Sequence, residues 1–155
     1  MTRRTPERLQ TLEYFLSDGL NYAWFRVRNY NEEDCTATVY VATGDYDEDG
    51  EEVFDKFEVG PDDVARGLRL YRETLEGKRE AFPGEWKYDI DRMILKGVIA
   101  DASEFVPTIH ARAHKDNYGW QTVLFDRTNG EEGDYDANTA DSVMQLATIG
   151  EIRYG

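Results

Sequence analysis

Asp136-Ala-Asn-Thr-Ala-Asp-Ser-Val-Met-Gln-Leu-Ala-Thr-Ile-Gly-Glu-Ile-Arg-Tyr-Gly155 places a helical pattern directly before an extended one. Asn138 is a good N-cap, and Asp141, three residues on, can bond back to it while meeting the positive end of the helix dipole. Ala140, Val143, Met144 and Ala147 fall at i, i+3, i+4 and i+7, which is one apolar stripe of a helix. Gly150 supplies the left-handed residue that stops it. Glu151 to Tyr154 then reads as a short strand, expected to be paired inside a sheet because an unpaired one would fray. Helix and strand together point to a mixed fold.

Working outward, Pro6 at a first helical turn and Leu9, Leu12, Phe15 and Leu16 at helical spacing predict an amphipathic helix ending at Ser17-Asp18-Gly19. Asn21 to Tyr30 has a period of two. Ala23, Phe25 and Val27 point one way, and Tyr22, Trp24, Arg26, Arg28 and Tyr30 the other. Thr36 to Thr43 and Glu51 to Val59 predict a hairpin with Asp49-Gly50 at its tip. Gly60-Pro-Asp-Asp63 opens a helix carrying Val64, Leu68, Tyr71 and Leu75, and Gly77 ends it. Lys78 to Tyr88, with Pro83-Gly84, reads as a loop, and Ile90, Met93, Ile94, Gly97 and Val98 as a further amphipathic helix. From Val106 the pattern is strand-like again. Ile109, Ala111 and Ala113 alternate with His110, Arg112 and His114, and Trp120 to Phe125 follows a turn. Arg127 to Asp136 is an acidic surface loop. With no internal repeat or boundary, residues 1–155 are expected to form a single α+β domain. Its sheet should be mostly antiparallel, with about five to six strands and about four helices.

The twenty aromatics (3 Trp, 10 Tyr and 7 Phe) and a 40% hydrophobic fraction argue for a packed core. A net charge of −14 excludes general binding to nucleic acid or to an anionic membrane, because long-range repulsion opposes each encounter. Cys35 is alone, so no disulfide framework or thiolate zinc site is available, and this suits a reducing cytosol. The start, Met1-Thr-Arg-Arg-Thr-Pro6, leads into a charged helix rather than an apolar export segment, and no apolar run is long enough to span a bilayer, so a soluble protein is expected.

Catalytic patterns are scarce. Asp45-Tyr-Asp-Glu-Asp-Gly50 has the first half of a calcium loop, but the closing position is Lys56 and both flanks read as strands, which favours a solvated turn. His110 and His114 lack a third ligand and the glutamate of a zinc helix, so no metal is expected. Cys35 follows Glu33 and Asp34, whose charge raises a thiol pKa. No nucleophile elbow, phosphate loop or dinucleotide fingerprint is present, so neither a catalytic residue nor a cofactor is expected. The best local exception to the acidic background is the aromatic and cationic set Tyr22, Trp24, Arg26, Arg28 and Tyr30, since rings stack and guanidiniums fork onto oxyanions. The His110, Arg112 and His114 set is second. The bland alternative is that a helix covers the first set and its arginines pair at the rim.

Gln145, followed after four residues by Gly150-Glu-Ile-Arg-Tyr-Gly155, resembles the ending of a family of small uncharacterised proteins of tailed phages of high-GC hosts, the actinobacteriophage type. Gly19-Leu-Asn-Tyr-Ala-Trp24 is similar to that family's segment entering the first strand, although Ala23 here separates a tyrosine and tryptophan that are adjacent in the family pattern. The resemblance implies a phage accessory protein and carries over no catalytic residue. Together these readings lead to the expectation of a binding protein in the host cytoplasm. It would interfere with a host defence or regulatory pathway by sequestering a nucleotide-type signal or a host protein. The alternatives are an acidic DNA mimic, a virion structural component and a hydrolase acting on a nucleotide. Homo-oligomerisation stays open.

Overall fold

The computed structural model describes residues 4–80, 84, 86–105 and 118–154. The chain opens with α1 (Pro6–Gly19), whose N-cap Thr5 accepts from the Arg8 backbone N–H at 3.1 Å while Pro6 occupies the first turn. Three strands follow as an antiparallel meander in the order β1 (Phe25–Asn31), β2 (Thr36–Tyr46), β3 (Glu52–Val59). Then come α2 (Pro61–Leu75), α3 (Lys87–Leu95), a 3-10 turn (Ala102–Glu104), α4 (Tyr118–Arg127) and α5 (Ala137–Thr148). The fold is α+β. Among the described residues it has three strands and five α-helices, against the five to six strands and four helices expected from pattern.

The register makes the two faces of the sheet different. Phe25 lies opposite Val41, Val27 opposite Val39, Val39 opposite Phe57 and Ala37 opposite Val59, and all of them join the hydrophobic core. The alternate residues form the outer face. At the far end of the β2–β3 hairpin the Asp47 carboxylate holds the turn, its Oδ1 accepting from the Asp49 and Glu51 backbone N–H groups at 2.9 Å each.

Helix α5 is the centre of the core. Ala140, Val143, Met144 and Ala147, the stripe expected from spacing, are all buried, and they meet Leu12, Phe15 and Leu16 of α1 and Val64, Leu68 and Tyr71 of α2. The helices touch closely because a glycine faces α5 on each side. A Cβ on Gly19 would lie 2.5 Å from the Ala140 carbonyl oxygen, and one on Gly67 2.5 Å from that of Val143. The helix starts two residues earlier than predicted. Asp136, not Asn138, is the N-cap: its Oδ1 accepts from Thr139 N at 2.8 Å, and the Thr139 hydroxyl answers the Asp136 N–H at 3.1 Å.

Two predicted strands are corrected. Glu151 to Tyr154 joins no ladder. Its backbone bonds instead to the buried Gln145 side chain, whose Oε1 accepts from Arg153 N at 2.7 Å and from Tyr154 N at 2.9 Å, while Nε2 donates to the Tyr154 carbonyl at 3.1 Å. One glutamine does what a neighbouring strand would have done. Trp120 to Phe125 is helical, within α4, despite its strand-favouring residues. Buried Val123, a Thr122–Thr139 hydroxyl bond of 3.0 Å and packing of Phe125 on Phe15 and Tyr135 override local preference. The predicted strand from Val106 to His114, with His110 and Arg112, lies outside the described residues. Helix α3 forms around Ile90, Met93 and Ile94, but it starts inside the predicted loop, stops before Gly97 and Val98, and buries none of its residues.

Candidate ligand-binding face of the sheet

The outer face is read row by row from the strand register. Arg26 lies opposite Tyr40, which lies opposite Lys56; Arg28 lies opposite Thr38, which lies opposite Glu58; and Phe54 lies beside Ala42. Arg26, Arg28, Lys56 and Glu58 are exposed, and Tyr40 and Phe54 are half-buried between them. The Arg26 guanidinium carbon sits 4.4 Å above the Phe54 ring centroid, a cation–π contact that props the side chain over the sheet. Glu58 is partnered twice, with Lys56 Nζ at 3.3 Å and the Thr38 hydroxyl at 3.0 Å. Among the described residues neither Arg26 nor Arg28 forms an ion pair.

Of the five residues predicted to share this face, the structure keeps two there. Tyr22 and Trp24 precede the strand and stack on each other at 4.9 Å, and Trp24 stacks in turn on Tyr154 at 5.3 Å. Their polar atoms are committed to α5: Trp24 Nε1 donates to Asp141 Oδ1 at 2.7 Å and the Tyr22 hydroxyl to Asn138 Oδ1 at 2.8 Å. Tyr30 leaves by another route. The pairing slips between Arg28 and Asn31, Asn29 adopts φ 53°, and this bulge turns Tyr30 toward α1, where its hydroxyl donates to Glu13. His110, Arg112 and His114 lie outside the described residues. Residues near the two ends of the sequence thus meet in the Tyr22–Trp24–Tyr154 stack.

Two hollows are lined in part by residues of this face. The smaller, about 250 Å³, is lined by Arg26, Arg28, Tyr40 and Phe54. The larger, about 530 Å³, runs from Asn29, Thr36 and Thr38 past Glu58 to Gly60 and Asp62 at the start of α2. Arg28 of one borders Thr38 of the other, its partner in register. Sequence reasoning missed Thr38, Tyr40, Phe54 and Glu58. Only cross-strand register reveals them, because nothing local to β2 or β3 says which residues will stand beside an arginine.

The perturbed groups lie elsewhere. Burial, then the charges of Glu32 and Asp18, push Glu13 up to about 7. Burial also raises Asp141, opposed by its hydrogen bonds from Trp24 and Gln145. Cys35 is pushed up to about 11, mainly by burial and next by Glu13, rather than by its sequence neighbours Glu33 and Asp34. A buried thiol with that pKa is a poor nucleophile. Among the described residues no group of three or more His, Cys, Asp or Glu is arranged to hold a metal ion, and no helix is long and apolar enough to cross a membrane. Comparison with known protein families, curated proteins and solved structures gives no match.

Proposed function

We propose that this is a small phage accessory protein that acts by binding in the host cytoplasm, sequestering a small anionic, nucleotide-type signal on the outer face of its sheet. The observation that carries this reading is the pair Arg26 and Arg28, exposed on one face and without a carboxylate partner among the described residues of a chain whose net charge is −14. Two arginines at i and i+2 stand about 7 Å apart and can fork onto the oxygens of one or two oxyanions.

Size and screening favour a small ligand over a macromolecular anion. The hollow that the arginines line is about 250 Å³, below the roughly 300–1,000 Å³ of ordinary ligand sites, so it suits the anionic group of a small ligand rather than an extended polyanion. The acidic hairpin comes close to the patch: Glu52 is two residues along β3 from Phe54, about 7 Å away, and Asp45 lies near the end of β2. With a Debye length of about 8 Å at physiological salt, only an anion that stays on the arginines avoids most of that repulsion. A nucleic acid or an acidic protein surface would extend across those carboxylates and be repelled.

The test is a nucleotide panel read by melting temperature. Saturation at about a hundred times Kd should stabilise the fold by about 2.7 kcal/mol. Replacing both arginines by Ala should abolish the shift while leaving the unliganded melting curve in place, since exposed cations contribute little to folding. A folded double variant that still responds would move the site elsewhere, and turnover of the nucleotide over time would show the hydrolase instead.

A further inference from the structure

Accepting the outer face as the ligand site, we infer that its ligand is a guanine-type nucleotide, held with its phosphate on Arg26 and Arg28 and its base edge donating to the Glu58 carboxylate. The polarity changes sign across a single row. Arg28, Thr38 and Glu58 stand in register on β1, β2 and β3, so a cation and a carboxylate lie two strand spacings apart, about 10 Å, with a hydroxyl between them. A nucleoside monophosphate bridges such a span from phosphate to base. A bare polyphosphate does not suit it, because one end would meet Glu58 and, beyond it, Asp62 and Asp63 in the wall of the larger hollow.

Glu58 selects among bases by what it lacks. An ionised carboxylate only accepts hydrogen bonds, and its two oxygens offer about four lone-pair directions. Lys56 and Thr38 engage one oxygen each, and with its side chain 69% exposed the remaining lone pairs open into the hollow. Guanine presents two adjacent donors, the ring N–H and the exocyclic amine, in a fork of the kind that arginine offers a carboxylate. Adenine and cytosine set one amine beside a ring nitrogen that accepts, so a lone pair would face a lone pair. Hypoxanthine keeps the ring N–H and loses the amine.

Titration calorimetry with GMP, IMP, AMP and inorganic pyrophosphate decides it, using the wild-type chain, Glu58→Gln and the Arg26→Ala/Arg28→Ala double variant. GMP should bind wild type tightest, with IMP about tenfold weaker and AMP weaker still, as expected for hydrogen bonds to a charged group. Glu58→Gln should lose about tenfold for GMP while binding pyrophosphate at least as tightly as wild type does, since a repelling carboxylate is gone, and the arginine variant should lose every probe. Equal binding of the three nucleotides, or a Glu58→Gln chain that keeps its GMP affinity, overturns the base assignment and leaves the anion site standing. Failure of every probe, pyrophosphate included, overturns both.

Discussion

Gln145→Leu isolates the contact that replaces a strand at the end of the fold. The leucine keeps similar volume at a position with 0% exposure but removes four hydrogen bonds: Nε2 to Asp141 Oδ2 at 3.0 Å and to the Tyr154 carbonyl at 3.1 Å, and Oε1 from Arg153 N at 2.7 Å and Tyr154 N at 2.9 Å. The three bonds to the tail are neutral and contribute about 1 kcal/mol each, and the released backbone can turn to water. The fourth goes to a carboxylate that remains buried with one donor fewer, at about 1–3 kcal/mol. Together the loss is about 4–6 kcal/mol, a large share of the roughly 5–15 kcal/mol that holds a domain folded. Urea denaturation should show a lower midpoint at an unchanged slope. The tail also carries Tyr154 onto Trp24, so Tyr154→Ala should cost about 1 kcal/mol less in the Gln145→Leu chain than in wild type, a coupling a double-mutant cycle resolves. A loss below about 1 kcal/mol for Gln145→Leu, or strict additivity with Tyr154→Ala, would refute the claim that this glutamine holds the tail.

Glu13 binds its proton more tightly in the folded chain, at about 7 against an ordinary 4.5, so its contribution is complete below pH 4.5 and is lost as pH rises through 7. Glu13→Gln should therefore match wild type near pH 4.5 and exceed it by about 3 kcal/mol at pH 8, measured by urea midpoints across that range, and a constant difference would contradict the buried-acid account. Asp136→Ala removes the cap of α5 and should cost about 1 kcal/mol, whereas Asn138→Ala loses only the exposed bond from Tyr22 and should cost less than about half that. The reverse ranking would return the helix start to Asn138.

The stripe of α5 was legible because four apolar residues at helical spacing have one way to be buried together. Its first residue was not, since Asp136 and Asn138 are both good caps and only the answering Thr139 hydroxyl separates them. The Glu151 to Tyr154 segment misled because its composition is that of a strand, while the group that satisfies its backbone is a glutamine inside the preceding helix. Trp120 to Phe125 misled for a related reason: strand-favouring residues packed as a helix against Phe15 and Tyr135. In the candidate site, Arg26 and Arg28 followed from the period of two, and Tyr30 lost that parity at a bulge that no local signal marked. The neighbours that give the arginines their chemistry come from other strands, and register is a property of the folded sheet.

The central position of α5 has a consequence for how the chain is made. Synthesis delivers α1, the sheet and α2 long before the helix that fills the space between them. Contacts such as Trp24 with Asp141 and Tyr22 with Asn138 join residues 117 and 116 positions apart. Leu12, Phe15, Val64 and Leu68 must therefore wait in water, or in the care of a chaperone, until Ala137–Thr148 emerges and slides between the two glycine notches. A nascent chain halted before residue 137 carries the core residues of α1, the sheet and α2 without the helix they pack on. Such a fragment exposes apolar surface that the finished fold buries.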